Sequence, residues 1–218
     1  MKKYLNWMFA AILICGATLV IASCGKDDDE EQTPQEQKTS NVYEFTLTAV
    51  LPQCAAGYMT LEVEYTDVDG KSKTVVVKEG DTSEKMPAMA QTTYDDAKDF
   101  VKGLYGLEGE KAAQFDKLAG DLIVKNIKMT VPAGKTITYK GYAKARSDFK
   151  QPTGETFDYV RPAVIPTVVR TSGNSEEYTH VSEKLTLFVA LGVESDHIAE
   201  FLDLQGNTVV NSGSVFFE

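Results

Sequence analysis

The chain has 218 residues, 43% of them hydrophobic, with 22 Lys and Arg against 32 Asp and Glu and a formal net charge of −10. Such a negative chain is repelled by phosphate and gains no counterion-release energy, which excludes nucleic acid as a partner and gives no electrostatic pull toward anionic lipid. Of the three cysteines, Cys15 and Cys24 lie at the extreme N-terminus, so Cys54 stands alone in the body of the chain and the fold must rest on its core without a disulfide.

Lys2 and Lys3 precede an apolar run from Trp7 to Ile21 that ends in Ala22-Ser23, the plan of a signal peptide over residues 1–23. In Ile21-Ala22-Ser23-Cys24 the small pair is followed by a thiol able to carry a thioether-linked diacylglycerol. The motif resembles the lipobox of bacterial lipoproteins, with Ile21 where Leu is more usual, and the resemblance implies lipid attachment at Cys24. The competing reading is an uncleaved anchor, because about 20 apolar residues span a bilayer. Against it stand Asn6, Gly16 and Thr18 within Tyr4 to Ser23, and Lys26 with five acids soon after.

Lys26 and the acidic run Asp27, Asp28, Asp29, Glu30 and Glu31 look like the start of many lipoproteins of Bacteroidota. That resemblance covers only the first thirty or so residues and implies export to the outer face of the outer membrane. Read on composition alone, residues 24–40 are a charged, core-poor, solvated tether, which suits the periplasmic leaflet as well. Loss of residues 1–23 removes two lysines and no acid, leaving 20 basic against 32 acidic residues and a net charge of −12. Attachment to the outer membrane therefore rests on the lipid.

The globular part is expected over residues 41–218. Tyr43, Phe45, Leu47, Ala49 and Leu51 alternate with polar residues, a two-residue period that predicts a strand. After a loop at Pro52–Gly57 holding Cys54, the alternation resumes with Met59, Leu61, Val63 and Tyr65. Asp69-Gly70 then turns the chain into Lys73–Lys78 as a hairpin. As a calcium loop this segment fails: with Gly70 at the sixth position, Tyr65 and Val76 fall where acidic ligands belong.

Residues 80–91 read as loop, and the period then becomes helical over about 94–121. Ala97, Phe100, Val101, Leu104 and Tyr105 form one core-facing stripe, with Thr92 or Thr93 as cap and an end near Gly106. Past Gly109, a second stripe is carried by Ala112, Phe115, Leu118, Ala119 and Leu122.

Strands return with Ile127, Met129 and Val131, and Pro132-Ala133-Gly134 turns the chain into Thr136–Arg146. There Lys140, Tyr142, Lys144 and Arg146 share one face, the most basic surface of the chain, which suits an acidic sugar or a partner's carboxylates. A solvated strand face is the competing reading. Phe157–Tyr159 and Ala163–Arg170 continue the pattern, with Pro162 and Pro166 confining the latter to an edge or a broken strand. Lys184–Gly192 has apolar residues on both sides and reads as a central strand. Gln205-Gly206-Asn207 marks a turn, and Val215–Phe217 a final strand, edge or central.

Eight or nine strands with one helical insertion, and no regular strand–helix alternation, predict an antiparallel β-sandwich of immunoglobulin-like or transthyretin-like type, in one domain or two small ones. His180 and His197 lack a ligand spacing, so no metal or cofactor is expected. No nucleophile elbow or phosphate-cradling loop occurs, and no acid pair stands out for glycoside hydrolysis. The expected function is a non-enzymatic binding module for a glycan, peptide or protein. The alternative is an assembly subunit pairing through an edge near Phe216 or Pro162; a hydrolase is the remoter reading. With Trp7 in the signal peptide, a sugar platform would have to use Tyr58, Tyr142, Tyr159 or Tyr178.

Overall fold

The computed structural model describes residues 42–148, 156–172, 175–179, 185, 187–194 and 208–218. The alternating stretch at the start of this region forms β1 (Val42–Pro52), followed by a single-turn helix α1 (Gln53–Ala56), β2 (Met59–Thr66) and β3 (Ser72–Val77). Two helices come next, α2 (Ala88–Tyr105) and α3 (Gly109–Gly120), then β4 (Leu122–Pro132) and β5 (Thr136–Ala145). The remaining strands are β6 (Thr156–Val160), β7 (Ala163–Ser172), β8 (Ser175–Thr179), β9 (Val189–Glu194) and β10 (Thr208–Phe216). They assemble into two four-stranded sheets, ordered β4-β1-β7-β8 and β10-β5-β2-β3, and a β6-β9 ribbon, with every pairing antiparallel.

The period of two decides what lies between the sheets. Tyr43, Phe45, Leu47, Ala49 and Leu51 of β1 face Met59, Leu61 and Val63 of β2 and Ile137, Tyr139 and Ala143 of β5 across one buried core. Phe45 stacks at 6.5 Å from Tyr139 and edge-on at 5.5 Å from Phe217, so the sandwich is aromatic at its centre. The expected antiparallel β-sandwich is thus the architecture, and the Asp69-Gly70 hairpin joins β2 to β3. Its turn is held by the Asp67 carboxylate, which accepts from the Lys71 and Asp69 amides at 2.9 and 3.0 Å and pairs with Lys73 at 3.0 Å. The Lys71 amide bond first, then Lys73, lowers the Asp67 pKa.

The other parity of the first sheet is also buried along half its length. Val50, Val124, Ala163 and Ile165 pack under Ala90, Tyr94, Ala97 and Val101 of α2 and Phe115 and Ala119 of α3, making a second core. The first sheet is therefore the middle layer of three. Residues 187–190 lie between the two cores: Leu187 and Val189 pack in the second, Phe188 and Ala190 against the first.

Several expectations need correction. The Pro52–Gly57 loop contains the turn of α1. Helix α2 starts at Ala88 behind Pro87, which preforms the entry, so 88–91 is not loop. Thr92 and Thr93 are interior residues whose hydroxyls donate to the carbonyls of Ala88 and Met89, at 3.1 and 3.0 Å, rather than caps. Phe100, Leu104 and Tyr105 are more than half exposed: Phe100 lies on the flank of the stripe next to the buried Val101, and Leu104 and Tyr105 fall in the last turn, past Val101, the last buried residue of the helix. Gly106, at φ 58°, ends the helix where expected. β9 pairs with β6 in a two-stranded ribbon and is not central to a four-stranded sheet. β7 is an interior strand, yet β8 reaches only Val168–Ser172, so Pro166 needs no partner on that side. Among the described residues β10 is an edge strand, with Phe216 exposed and Phe217 turned inward.

Candidate binding groove

The helices cover only half of the first sheet's outer face. On the other half, the β1 register sets Glu44 between Thr130 of β4 and Val169 of β7, and Thr46 between Lys128 and Thr167. With strands about 4.8 Å apart, these six outward side chains form a grid two rows deep and three strands wide. Pro87, Ala88 and Met89, at the start of α2, wall it on the helical side, and the concavity has a volume of about 540 Å³. The floor is polar at Glu44, Thr46, Lys128, Thr130 and Thr167, while Met89, Pro87 and Val169 supply apolar contact. Thr167 is almost fully buried, and its hydroxyl donates to the Thr46 carbonyl at 3.5 Å.

The wall is fixed to the floor by the segment leading into α2. The Glu84 amide donates to the Val124 carbonyl at 2.9 Å, and Ser83 Oγ bonds both the Leu122 carbonyl and the Val124 amide. This segment hydrogen-bonds along the outer edge of β4. Asn126 then donates its backbone N–H and its Nδ2 to the Glu84 carboxylate, each at 3.0 Å, and its Nδ2 to the Lys85 carbonyl. The first turn of α2 contains no acid and its N-cap is Pro87, so no side chain caps this helix end.

The basic face predicted from sequence lies elsewhere, on the outer side of the second sheet, and the structure brings its members together. Lys140 and Lys144 sit 4.8 and 5.8 Å from the centre of the Tyr142 ring, one to each side along the strand. Lys144 pairs with Glu62, and Arg146 pairs with Glu79 at 2.6 Å and Asp148 at 3.0 Å while donating to the Ala56 carbonyl. The charges of Lys144 and Arg146 are answered within the chain, and the two lysines flank the Tyr142 ring.

Of the other tyrosines expected to serve a sugar platform, two are engaged in packing within the fold. Tyr159 is fully buried with its hydroxyl on Met59 Sδ, and Tyr58 packs edge-on to Phe157 at 5.3 Å. The side chain of Tyr178, His180, His197, Cys24, Lys26 and the acids Asp27 to Glu31 lie outside the described residues. Burial, reinforced by the charge of Asp158, pushes the Cys54 thiol up to about 11, so it is protonated at neutral pH and a poor nucleophile.

Sequence reasoning missed the groove. Thr46, Thr130 and Thr167 occupy the polar parity of their strands, which reads simply as solvent-facing. The chain matches no protein-family model, no curated protein and no solved structure.

Proposed function

We propose that this chain is a lipid-anchored outer-membrane protein, exposed at the cell surface, that binds its ligand non-enzymatically in the groove between the first sheet and the start of α2. The observation that carries the binding reading is the groove itself: a concavity of about 540 Å³ with a mixed polar floor, whose wall is tied to the floor through Asn126 and Glu84. Ligand sites are commonly preformed hollows of roughly 300–1,000 Å³ with a few convergent polar groups. Among the described residues Glu44 is the one carboxylate lining it, whereas glycoside hydrolysis commonly uses two. The lipobox-like Ile21-Ala22-Ser23-Cys24 and the acids that follow support the anchor and the outward orientation.

A second reading, an assembly subunit, is favoured by β10. Among the described residues it is an edge strand, with Phe216 60% exposed, and a sheet edge can add a strand from another chain.

Protease shaving and antibody labelling of intact cells test the location. Wild type should label, Cys24→Ala should lose membrane retention, and neutralising Asp27 to Glu31 should abolish surface labelling. Lipidated wild type that never labels on intact cells would refute surface exposure. Crosslinking from Met89 against crosslinking from Phe216 separates the binding reading from the assembly reading.

A further inference from the structure

We infer that the groove takes a neutral, hydroxyl-rich ligand, the end of an uncharged glycan. This rests on the binding reading above. The floor offers the hydroxyls of Thr46 and Thr130, each able to donate and to accept, and that of the nearly buried Thr167, which donates to the Thr46 carbonyl and keeps its acceptor capacity. Glu44 only accepts and Lys128 only donates, and the register offsets them diagonally across the β1–β4 pair. A hydroxyl likewise both donates and accepts, so vicinal hydroxyls can satisfy all five groups at once. An anion would meet Glu44 and a cation Lys128, and the two charges cancel.

An extended peptide fits less well. The backbone groups of the floor strand β1 are engaged in ladders with β4 and β7 on both sides, leaving none for strand addition. Apolar lining comes from Pro87, Ala88 and Met89 on the wall and from Met129 and Val169 on the sheet, a shallow surface that suits the C–H face of a sugar ring.

The test uses the full-length chain purified in detergent, titrated with maltoheptaose, mannohexaose and xylohexaose, and with oligogalacturonate as the acidic probe. At least one neutral oligosaccharide should bind, and oligogalacturonate should not. Thr46→Val and Glu44→Gln should each weaken binding about 3- to 10-fold, the effect of one lost hydrogen bond. Thr46→Ser, which keeps the hydroxyl, and Tyr142→Ala on the other sheet should leave it unchanged, with thermal melts confirming that each variant is folded. Preference for oligogalacturonate, or sugar binding indifferent to Thr46→Val and Glu44→Gln, overturns the inference. A photo-crosslinker at Met89 in living cells separates the two levels. A protein adduct without sugar binding sinks the glycan and keeps the binding reading, and neither adduct nor sugar sinks both.

Discussion

Thr48 and Asn126 face each other across the β1–β4 ladder, the buried Thr48 hydroxyl donating to the Asn126 side-chain oxygen at 3.0 Å. Asn126 in turn holds Glu84 and Lys85, the residues that deliver the chain into α2. The position of the groove wall thus depends on one side-chain amide. Asn126→Ala removes the acceptor of a buried hydroxyl and a donor to Glu84 and Lys85, at a cost of about 1–3 kcal/mol. A lower urea midpoint, with faster amide exchange around Glu84, is the expected result. Unchanged exchange there would show that the wall is held by other contacts.

Phe217, the penultimate residue, is 2% exposed and packs on Tyr43 at 5.3 Å and Phe45 at 5.5 Å. Its backbone is bonded to Lys135 and Gly134, and the Tyr43 hydroxyl reaches the Glu218 carbonyl. Phe217→Ala should cost about 3–5 kcal/mol, in the range of large core truncations. Phe216→Ala, its exposed neighbour, should cost under about 0.5 kcal/mol. Chemical denaturation of the pair checks the inward turn of the C-terminus.

Gly141 on β5 lies against Val164 of β7 in the facing sheet. A Cβ added there would lie 2.5 Å from Val164 Cγ2 and 2.9 Å from Val210 Cγ2. Gly141→Ala should destabilise by about 1–3 kcal/mol, as overpacking does. Val164→Ala removes the nearer obstacle, so the double variant should be more stable than the sum of the two single effects. Simple additivity in a double-mutant cycle would contradict the close approach.

Alkaline pH should expose the second core. The Cys54 thiol ionises near 9.0 when exposed and near 11 in the fold, with desolvation by burial as the main cause, and burial also raises Tyr94 and Tyr159. A folded pKa above the unfolded one means that the folded state retains protons which the unfolded state releases. The contribution is therefore full below pH 9 and is lost as pH rises through about 11, by up to roughly 2 kcal/mol for the thiol. Cys54→Ala should flatten this decline in urea midpoint between pH 8.5 and 11. In the native protein at pH 8 the thiol should react slowly with a disulfide reagent, and quickly once urea is added.

The sequence by itself determined the strands whose sides differ. Tyr43 to Leu51, Met59 to Tyr65 and Ile137 to Ala145 each alternate with period two, a local property that names a strand and its buried side before any partner is known. Asp69-Gly70 and Gly106 were legible for a similar reason, since each meets a backbone demand within a few residues. Layer order and register were not. Whether Leu104 is core or surface depends on where the packing beneath α2 stops, which is past Val101. The fate of residues 187–190 depends on there being two cores rather than one. The groove is the clearest case: Glu44, Thr46, Lys128 and Thr167 are scattered over more than 120 residues and meet only because β4 and β7 flank β1 in one register. Long-range packing selects that register, and α2, covering half of the face, turns a polar strand surface into a concave site.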